Sequence, residues 1–275
     1  MFKPIEKLTI VDDFMFGAVM SNPKLCKPLL ELILGVKIQR IEYPELQKVI
    51  NERYGSKGIR LDVYVEDEAG TVYNVEIQTT DKGNLPRRTR YYQGMIDLHI
   101  LERGEDYSAL HRSFVIFICT YDPFGEGRWV YSFENRCCEN LNLALGDGAT
   151  KIILNTKGYA GEISEESKSL LHYMDSLVPE DDYTQELDSA VAEVRRDEKW
   201  RVEYMRLNEV LRENRRLGEY STTVSQVRKS RYRFGMDEMA DIYILTPKAV
   251  GLIVNAIDTH PDWDDEQIAE SICFE

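Results

Sequence analysis

The sequence predicts an α/β protein with a mixed central sheet flanked by helices, followed by a helical C-terminal region. Ile59 to Gln78 alternates apolar and polar residues on both sides of a short link, as expected of a β-hairpin with one apolar face. Phe114 to Cys119 is a continuous apolar run, which is typical of a central strand buried on both faces. Beyond residue 163, apolar residues recur mainly at helical spacing.

Two helices are expected before the hairpin. Leu8 to Leu34 has a helical pattern that is interrupted at Asn22-Pro23, and Gly35 is suited to cap its end. Asp12 and Asp13 stand near the start of this segment. They can stabilise the helix start through its dipole, or they can belong to a site, and the pattern leaves both interpretations open.

The register of the hairpin follows from its alternation. Folding about Ala69 brings apolar residues together in three pairs: Leu61 with Ile77, Val63 with Val75, and Val65 with Tyr73. The opposite face then carries three polar pairs: Arg60 with Gln78, Asp62 with Glu76, and Tyr64 with Asn74. A slip by one residue would move one apolar set to the wrong face. We therefore expect Asp62 opposite Glu76, with their Cβ atoms ~5 Å apart.

Two carboxylates this close repel each other, and a bound cation would remove the repulsion. Oxygen ligands suit Mg²⁺ or Mn²⁺ better than a metal that prefers sulfur. The alternative is a solvated polar face on which Asp62 and Glu76 are incidental. The metal site is favoured because Arg60 and Gln78 flank the pair and a basic helix follows.

That helix is predicted over Leu85 to Glu102, with Pro86 in its first turn. Its first half carries Arg87, Arg88 and Arg90 among tyrosines, and its second half is apolar. Arginines at this position are suited to bind DNA phosphates. The alternative is a solvated face whose arginines neutralise nearby acids.

Composition restricts the classes of protein. The chain has 275 residues and a net charge of −14, which disfavours nonspecific binding to nucleic acid and requires any phosphate-binding surface to be a local basic patch. Five cysteines without a C-x-x-C motif indicate neither a disulfide framework nor a zinc cage. No apolar run approaches ~20 residues and the start does not resemble a signal peptide, so we expect a cytoplasmic protein without a membrane partner.

A domain boundary is expected at Pro179, which separates a domain of residues 1–178 from a helical region of residues 179–275. Further strands are predicted in Trp129 to Glu134, at a sheet edge, and in Lys151 to Leu154. The C-terminal pattern predicts a long charged helix, a basic segment and two more helices: Thr184 to Leu217, Val227 to Phe234, Ile242 to Ile257 and Asp265 to Ile272. No clear helix-turn-helix is visible.

The predicted order is a helix, a strand, a hairpin with Asp and then Glu-x-Gln, a basic helix and a buried strand. This order resembles the PD-(D/E)XK nuclease superfamily over roughly residues 8 to 160, and more closely its transposase-like branch, the recombination-promoting nucleases. The resemblance implies a restriction-endonuclease-like core in a DNA endonuclease that uses Mg²⁺, or Mn²⁺ or Ca²⁺, to hydrolyse phosphodiester bonds.

The resemblance also implies roles for individual residues. Asp62 corresponds to the first acidic position, and Glu76-Ile77-Gln78 corresponds to the (D/E)-x-K element, so Asp62 and Glu76 would bind the metal. Asp13 matches an acidic residue that often begins the opening helix, and Gln93 is a loose match to a helix glutamine of RecB-like members. The sequence departs from the pattern at two positions, because Leu61 precedes Asp62 where Pro is usual and Gln78 replaces Lys.

Gln78 carries no charge and cannot act as a general base, but its amide can orient a water molecule through hydrogen bonds. Activation of water would then rest on the metal alone, which suggests a slow or conditional enzyme.

Two other functions compete with a nuclease. The fold can be catalytically degenerate and bind DNA or a protein without cutting. The chain can also be an interaction protein whose helical C-terminal region docks a partner or a second copy, forming a homo-oligomer. Metal binding that depends on Asp62 and Glu76 separates the nuclease from both alternatives.

Overall fold

The computed structural model describes residues 3–42, 45–46, 49–50, 59–60, 62–101 and 104–273. The chain divides into two compact units, Met1–Arg201 and Val202–Glu275. The first unit contains a mixed sheet flanked by helices, and the second unit is helical.

The elements of the first unit follow the predicted order. They are α1 (Asp13–Met20), α2 (Pro23–Leu34), β1 (Glu45–Leu46), β2 (Val49–Ile50), β3 (Ile59–Arg60), β4 (Val63–Glu66), β5 (Val72–Gln78), α3 (Leu85–Ile100), β6 (Ser113–Cys119), β7 (Val130–Phe133), β8 (Ala149–Asn155), α4 (Glu165–Ser176) and α5 (Asp182–Arg196). The long helix α6 (Glu198–Ser230) begins in this unit and continues into the second, where α7 (Met236–Tyr243), α8 (Pro247–Thr259) and α9 (Asp265–Cys273) follow.

Within the described residues, the main sheet has six strands in the order β1-β4-β5-β6-β8-β7, and β2 pairs with β3 in a separate two-stranded sheet. The central strands β5, β6 and β8 are parallel, whereas β4 and β7 pair antiparallel with β5 and β8. The mixed sheet and the edge position of β7 were both predicted. Strand β6 is central and buried, as its continuous apolar run predicts.

The hairpin has the predicted register over the described residues. Val63 pairs with Val75, Tyr64 with Asn74, and Val65 with Tyr73. The link turns at Gly70, whose φ is +76° and whose N–H donates to the Asp67 carbonyl (3.0 Å). The Asp67 carboxylate also accepts from the N–H groups of Ala69 and Thr71, both at 2.9 Å, which fixes the loop.

The first predicted strand is interrupted. Arg60 belongs to β3 and pairs with Val49. The described ladder of β4 and β5 does not extend to the predicted pair of Arg60 with Gln78, and the predicted pair of Leu61 with Ile77 lies outside the described residues. Asp62 lies in a bend before β4. Its backbone N–H donates to Glu76 Oε1 (3.1 Å), and the described ladder of β4 with β5 begins at Val63.

Helix α3 covers one face of the sheet. Its buried residues Tyr92, Met95 and Ile96 pack in one core cluster with Val115 and Phe117 of β6. Side chains of a strand alternate between faces, so Val72 in this cluster places Asn74, Glu76 and Gln78 on the α3 face as well. The sheet therefore directs the polar residues of β5 towards the basic start of α3.

The helices at the N-terminus have the predicted break and cap. Asn22 accepts a hydrogen bond from the Lys24 N–H (3.0 Å), and Gly35 ends α2 with a φ of +65°. Asp12 has a structural role, because one of its carboxylate oxygens accepts from the Thr9 N–H (2.6 Å) and pairs with Lys3 (2.7 Å).

The chain divides later than residue 178. Helix α5 packs on α1, and the Arg195 guanidinium donates to the Leu8 carbonyl (2.6 and 2.9 Å), which ties α5 to the first unit. The predicted single helix Thr184 to Leu217 is broken at Asp197.

The second unit has its own apolar core. Residues from α6 to α9 form one cluster: Val224, Val227, Met239, Ala240, Val250, Ile253, Ile257, Ile268 and Ala269. The predicted helix Ile242 to Ile257 is two helices, α7 and α8, which meet at 111° across Ile244 to Thr246. In the basic segment, Arg228 pairs with Asp265 (2.7 Å).

No single helix in the described part of the chain is long and apolar enough to cross a membrane. Among the described helices, the bent pair α7 and α8 meets the length and composition limits when the two are taken together.

Gly70 and Gly94 give a matched test of the hairpin. An alanine at position 70 would have to adopt the positive φ of Gly70, and its Cβ would lie 2.9 Å from the His111 ring. Gly70→Ala should lower the free energy of unfolding by about 1–2 kcal/mol. Gly94→Ala, on the exposed side of α3 with open space around it, should raise it by up to about 1 kcal/mol. Urea denaturation measures both changes, and equal effects would contradict the hairpin geometry.

Candidate functional site

The predicted acidic pair lies at the C-terminal end of β5, beside the bend that precedes β4. Asp62 is 4% exposed and Glu76 is 0% exposed. This burial excludes the solvated polar face that the sequence left open. A buried carboxylate requires hydrogen bonds or a cation to offset its lost hydration.

Backbone and amide groups hold the two carboxylates. The Asp62 N–H donates to Glu76 Oε1 (3.1 Å), and the Ile77 N–H donates to Asp62 Oδ2 (3.2 Å). In the amide orientation that lets Asn74 donate, its nitrogen lies 3.1 Å from Glu76 Oε1 and 3.2 Å from the Val63 carbonyl. The acidic pair is therefore built into the hairpin itself.

Arg88 supplies a positive charge to the pair from the first turns of α3. Its Nη2 lies 3.0 Å from Glu76 Oε2, and its Nη1 donates to Gln78 Oε1. Its Nε and Nη2 also donate to the Tyr92 hydroxyl at 2.9 and 2.8 Å. The guanidinium lies 5.0 Å from the centre of the Tyr92 ring and 5.1 Å from that of Phe117.

The three arginines of α3 therefore differ. Arg87 and Arg90 are exposed, and neither forms an ion pair within the described residues. Arg88 is only 32% exposed and is bound to the acidic site, which corresponds to the neutralising role that the sequence left as an alternative. Of these three arginines, Arg87 and Arg90 therefore lie outside the acidic site.

Electrostatics couple Asp13 to this site. Burial raises the pKa of Glu76 to about 7, although the Arg88 charge and the Asp62 N–H oppose the shift, and the Asp13 charge raises this pKa further. Burial, with the Glu76 charge, also raises the pKa of Tyr92 to about 12, against the effect of Arg88. Asp13 is the first residue of α1 and is exposed. The effect of its charge on the pKa of Glu76 links it to the acidic pair.

Gln93 is not brought to the site. Its amide nitrogen donates to Ser113 Oγ (2.7 Å) and Asp97 Oδ1 (2.8 Å). Ser113 begins β6, whereas Glu76 pairs with Phe117 further along the same strand. The helix glutamine suggested by the RecB-like members is thus engaged at the opposite end of the parallel strands.

The sequence did not lead us to assign Asn74 or Tyr92 to the site. Asn74 lies two residues before Glu76 on the same strand face, so alternation alone could have indicated it. Tyr92 lies four residues after Arg88 and therefore on the same side of the helix, which is a weaker signal.

The donor set suits a hard divalent cation. Asp62 and Glu76 contribute carboxylate oxygens, and the Ile77 carbonyl points to the same side of β5 as its N–H, which faces Asp62. Mg²⁺ is commonly held by one or two carboxylates, with water and substrate phosphate as further ligands. In the described part of the chain no group of three or more His, Cys, Asp or Glu side chains is arranged for a metal. Two carboxylates and a carbonyl fit the magnesium pattern, but Arg88 occupies Glu76 Oε2.

The raised pKa of Glu76 predicts a pH-dependent stability. Between the ordinary value of 4.5 and about 7, the folded chain binds more protons at this group than the unfolded chain does. Its contribution to the free energy of unfolding therefore falls as pH rises through this window and levels off above it. Thermal melts of wild type and Glu76→Gln in a chelator should show the variant gaining relative stability from pH 5 to pH 8. A difference that stays constant with pH would contradict the burial of an ionisable Glu76.

Comparison with known proteins agrees with this geometry. A model of the PD-(D/E)XK nuclease family transposases matches residues 12–194. Neither the curated proteins nor the solved structures gave a match. The matched segment begins beside Asp13, ends within α5 and contains the whole acidic site. With its mixed sheet, flanking helices and acidic hairpin, the chain belongs to the PD-(D/E)XK nuclease family transposases and has their restriction-endonuclease-like fold.

Proposed function

We propose that the protein is a metal-dependent DNA endonuclease of the transposase-like, recombination-promoting type. The observation that carries the proposal is the buried pair of Asp62 and Glu76 at the end of β5. Membership of the family supports a nuclease or transposase-like function for this pair.

A purely structural role does not account well for the pair. Burial of carboxylates is costly, and neutral amides of the same shape would form hydrogen bonds without that cost. Strongly perturbed carboxyl groups in clefts are typical of functional sites. A cation bound during function would remove the repulsion between the Asp62 and Glu76 carboxylates.

The reaction would be hydrolysis of a phosphodiester. Asp62 and Glu76 would hold Mg²⁺, and Mn²⁺ or Ca²⁺ can occupy the same oxygens. When bound, such an ion would supply activation of the attacking water and stabilisation of the charge that develops on the phosphate. The water oxygen forms a bond to phosphorus, one P–O ester bond breaks, and the released oxygen gains a proton as the water loses one. The protein residues hold the ion and align the phosphate with the water.

DNA would approach along the exposed side of α3. Arg90 and Lys151 line a cleft of about 460 Å³ together with Glu134, the half-buried Phe124 and the exposed Phe133. Cationic side chains beside an exposed aromatic ring can contact both the phosphates and the bases of a strand. Because the net charge is −14, a local basic surface of this kind is required for DNA binding.

One observation favours the degenerate fold as a second candidate. Gln78 stands where the superfamily usually has Lys, and Arg88 neutralises Glu76 in the protein alone. Such a site could keep its fold without binding a metal. It would then bind DNA or a protein without cleavage.

Nicking of supercoiled DNA tests the proposed activity. Wild-type protein should convert supercoiled plasmid to open circles with Mg²⁺ or Mn²⁺ and not in a chelator. Asp62→Asn and Glu76→Gln should each lose this conversion and also lose Mn²⁺ binding in calorimetry. Glu165→Gln, which changes an exposed acid of α4, is the control and should behave as wild type. Metal binding without nicking by wild type would contradict the proposed activity, and DNA binding with neither metal binding nor nicking would support the degenerate fold.

The salt dependence of DNA binding tests Arg87 and Arg90. Replacing both by Ala should lower the slope of log affinity against log salt by about one unit for each lost phosphate contact, whatever the DNA sequence. The matched double replacement by Lys keeps both charges and should retain the wild-type slope. An unchanged slope in the Ala variant would remove these arginines from the DNA interface.

A further inference from the structure

Position 78 is neutral in this chain, yet the site has a half-buried positive charge. The guanidinium of Arg88 reaches from α3 and bonds both Glu76 Oε2 and Gln78 Oε1. The charge therefore stands between the two residues of the Glu-x-Gln element. A lysine at position 78 would bring its charge to the same end of β5.

Gln78 is oriented as an acceptor for this arginine. Its amide nitrogen donates to the Thr80 carbonyl (2.6 Å), which turns its oxygen towards Arg88 Nη1. An amide held at both ends is less suited to orient water, the role that the sequence suggested. It is well suited to fix a guanidinium.

Other contacts hold Arg88 in this place. The Tyr92 hydroxyl accepts from its Nε and Nη2, and its guanidinium lies near the faces of the Tyr92 and Phe117 rings. Arg remains protonated under all ordinary conditions and presents several donors in a fixed plane. A lysine at position 78 would place a second cation next to the guanidinium. We therefore expect a positive charge at position 78 or at position 88, but not at both.

We propose that Arg88 supplies, from α3, the positive charge that the superfamily places on the lysine of its (D/E)-x-K element, and that Gln78 positions Arg88. This inference rests on the proposed nuclease function. In the protein alone, Arg88 neutralises Glu76. When a divalent ion occupies Glu76, Gln78 and Tyr92 keep the guanidinium at the site, where it faces the phosphate.

The role is electrostatic. Because Arg88 does not release its proton, it cannot activate water as a base, and it acts by stabilising negative charge on the phosphate. It also competes with the metal for Glu76 Oε2. Removing its charge should therefore strengthen metal binding while it weakens cleavage, a combination that loss of structure does not produce.

The test compares Arg88→Gln, Gln78→Lys and the double variant, with Arg206→Gln as the matched control. The readouts are Mn²⁺ affinity without DNA, thermal stability without metal, and single-turnover cleavage. Arg88→Gln should bind Mn²⁺ several-fold more tightly but cleave about 100-fold more slowly. Arg206→Gln, which changes an exposed arginine of α6, should change neither value by more than about threefold.

The double variant is decisive. Gln78→Lys alone should lower stability and cleavage, because it opposes Arg88. In the Arg88→Gln background, Gln78→Lys should restore most of the stability and most of the cleavage rate. The double variant should therefore be more stable and cleave faster than either single variant. Arg88→Lys keeps the charge and should cleave faster than Arg88→Gln, which also covers the case in which the Gln variant folds poorly.

Three results would overturn the inference: wild-type cleavage by Arg88→Gln, strictly additive effects in the double variant, or parallel loss of Mn²⁺ affinity and cleavage in Arg88→Gln. Failure of the nuclease proposal looks different. In that case wild type binds Mn²⁺ but does not cleave, and the stability and affinity of the four variants still decide whether positions 78 and 88 exchange one charge.

Discussion

The structure depends on the burial of the Glu76 carboxylate at the end of a central strand. Glu76 is 0% exposed, so neighbouring groups must offset the free-energy cost of removing its carboxylate from water. The Asp62 N–H on one side and the Arg88 guanidinium on the other supply the offset. The bend at Asp62 and the first turns of α3 both contact Glu76, through the Asp62 N–H and the Arg88 guanidinium.

The topology explains how the partners meet. Strands β5 and β6 are parallel, so the chain must cross back between them, and α3 makes this crossing. The helix begins seven residues after Gln78, and its first turns therefore lie at the carboxyl edge of the sheet, where ligands of α/β sheets usually bind. Its later turns pack on β6 and carry Gln93 away from that edge. One helix thus separates a charged site from an apolar core.

Sequence reasoning recovered what strict alternation determines. The pairs Val63–Val75 and Val65–Tyr73, and the closeness of Asp62 to Glu76, follow from a period of two residues. The partner of Arg88 could not be predicted, because it depends on the angle at which α3 packs on the sheet. The bend at Asp62 and the break at Asp197 were missed for a similar reason, since tertiary hydrogen bonds and packing decide where an element ends.

The most direct test of the account is anomalous scattering from crystals soaked with Mn²⁺. The account predicts a peak within about 2.0–2.6 Å of carboxylate oxygens of both Asp62 and Glu76. The Arg88 guanidinium should then have left Glu76 Oε2 but should remain bonded to Gln78. A crystal without a peak at these oxygens at saturating Mn²⁺, with the Arg88–Glu76 ion pair intact, would contradict the central claim that this buried acidic pair is a metal site.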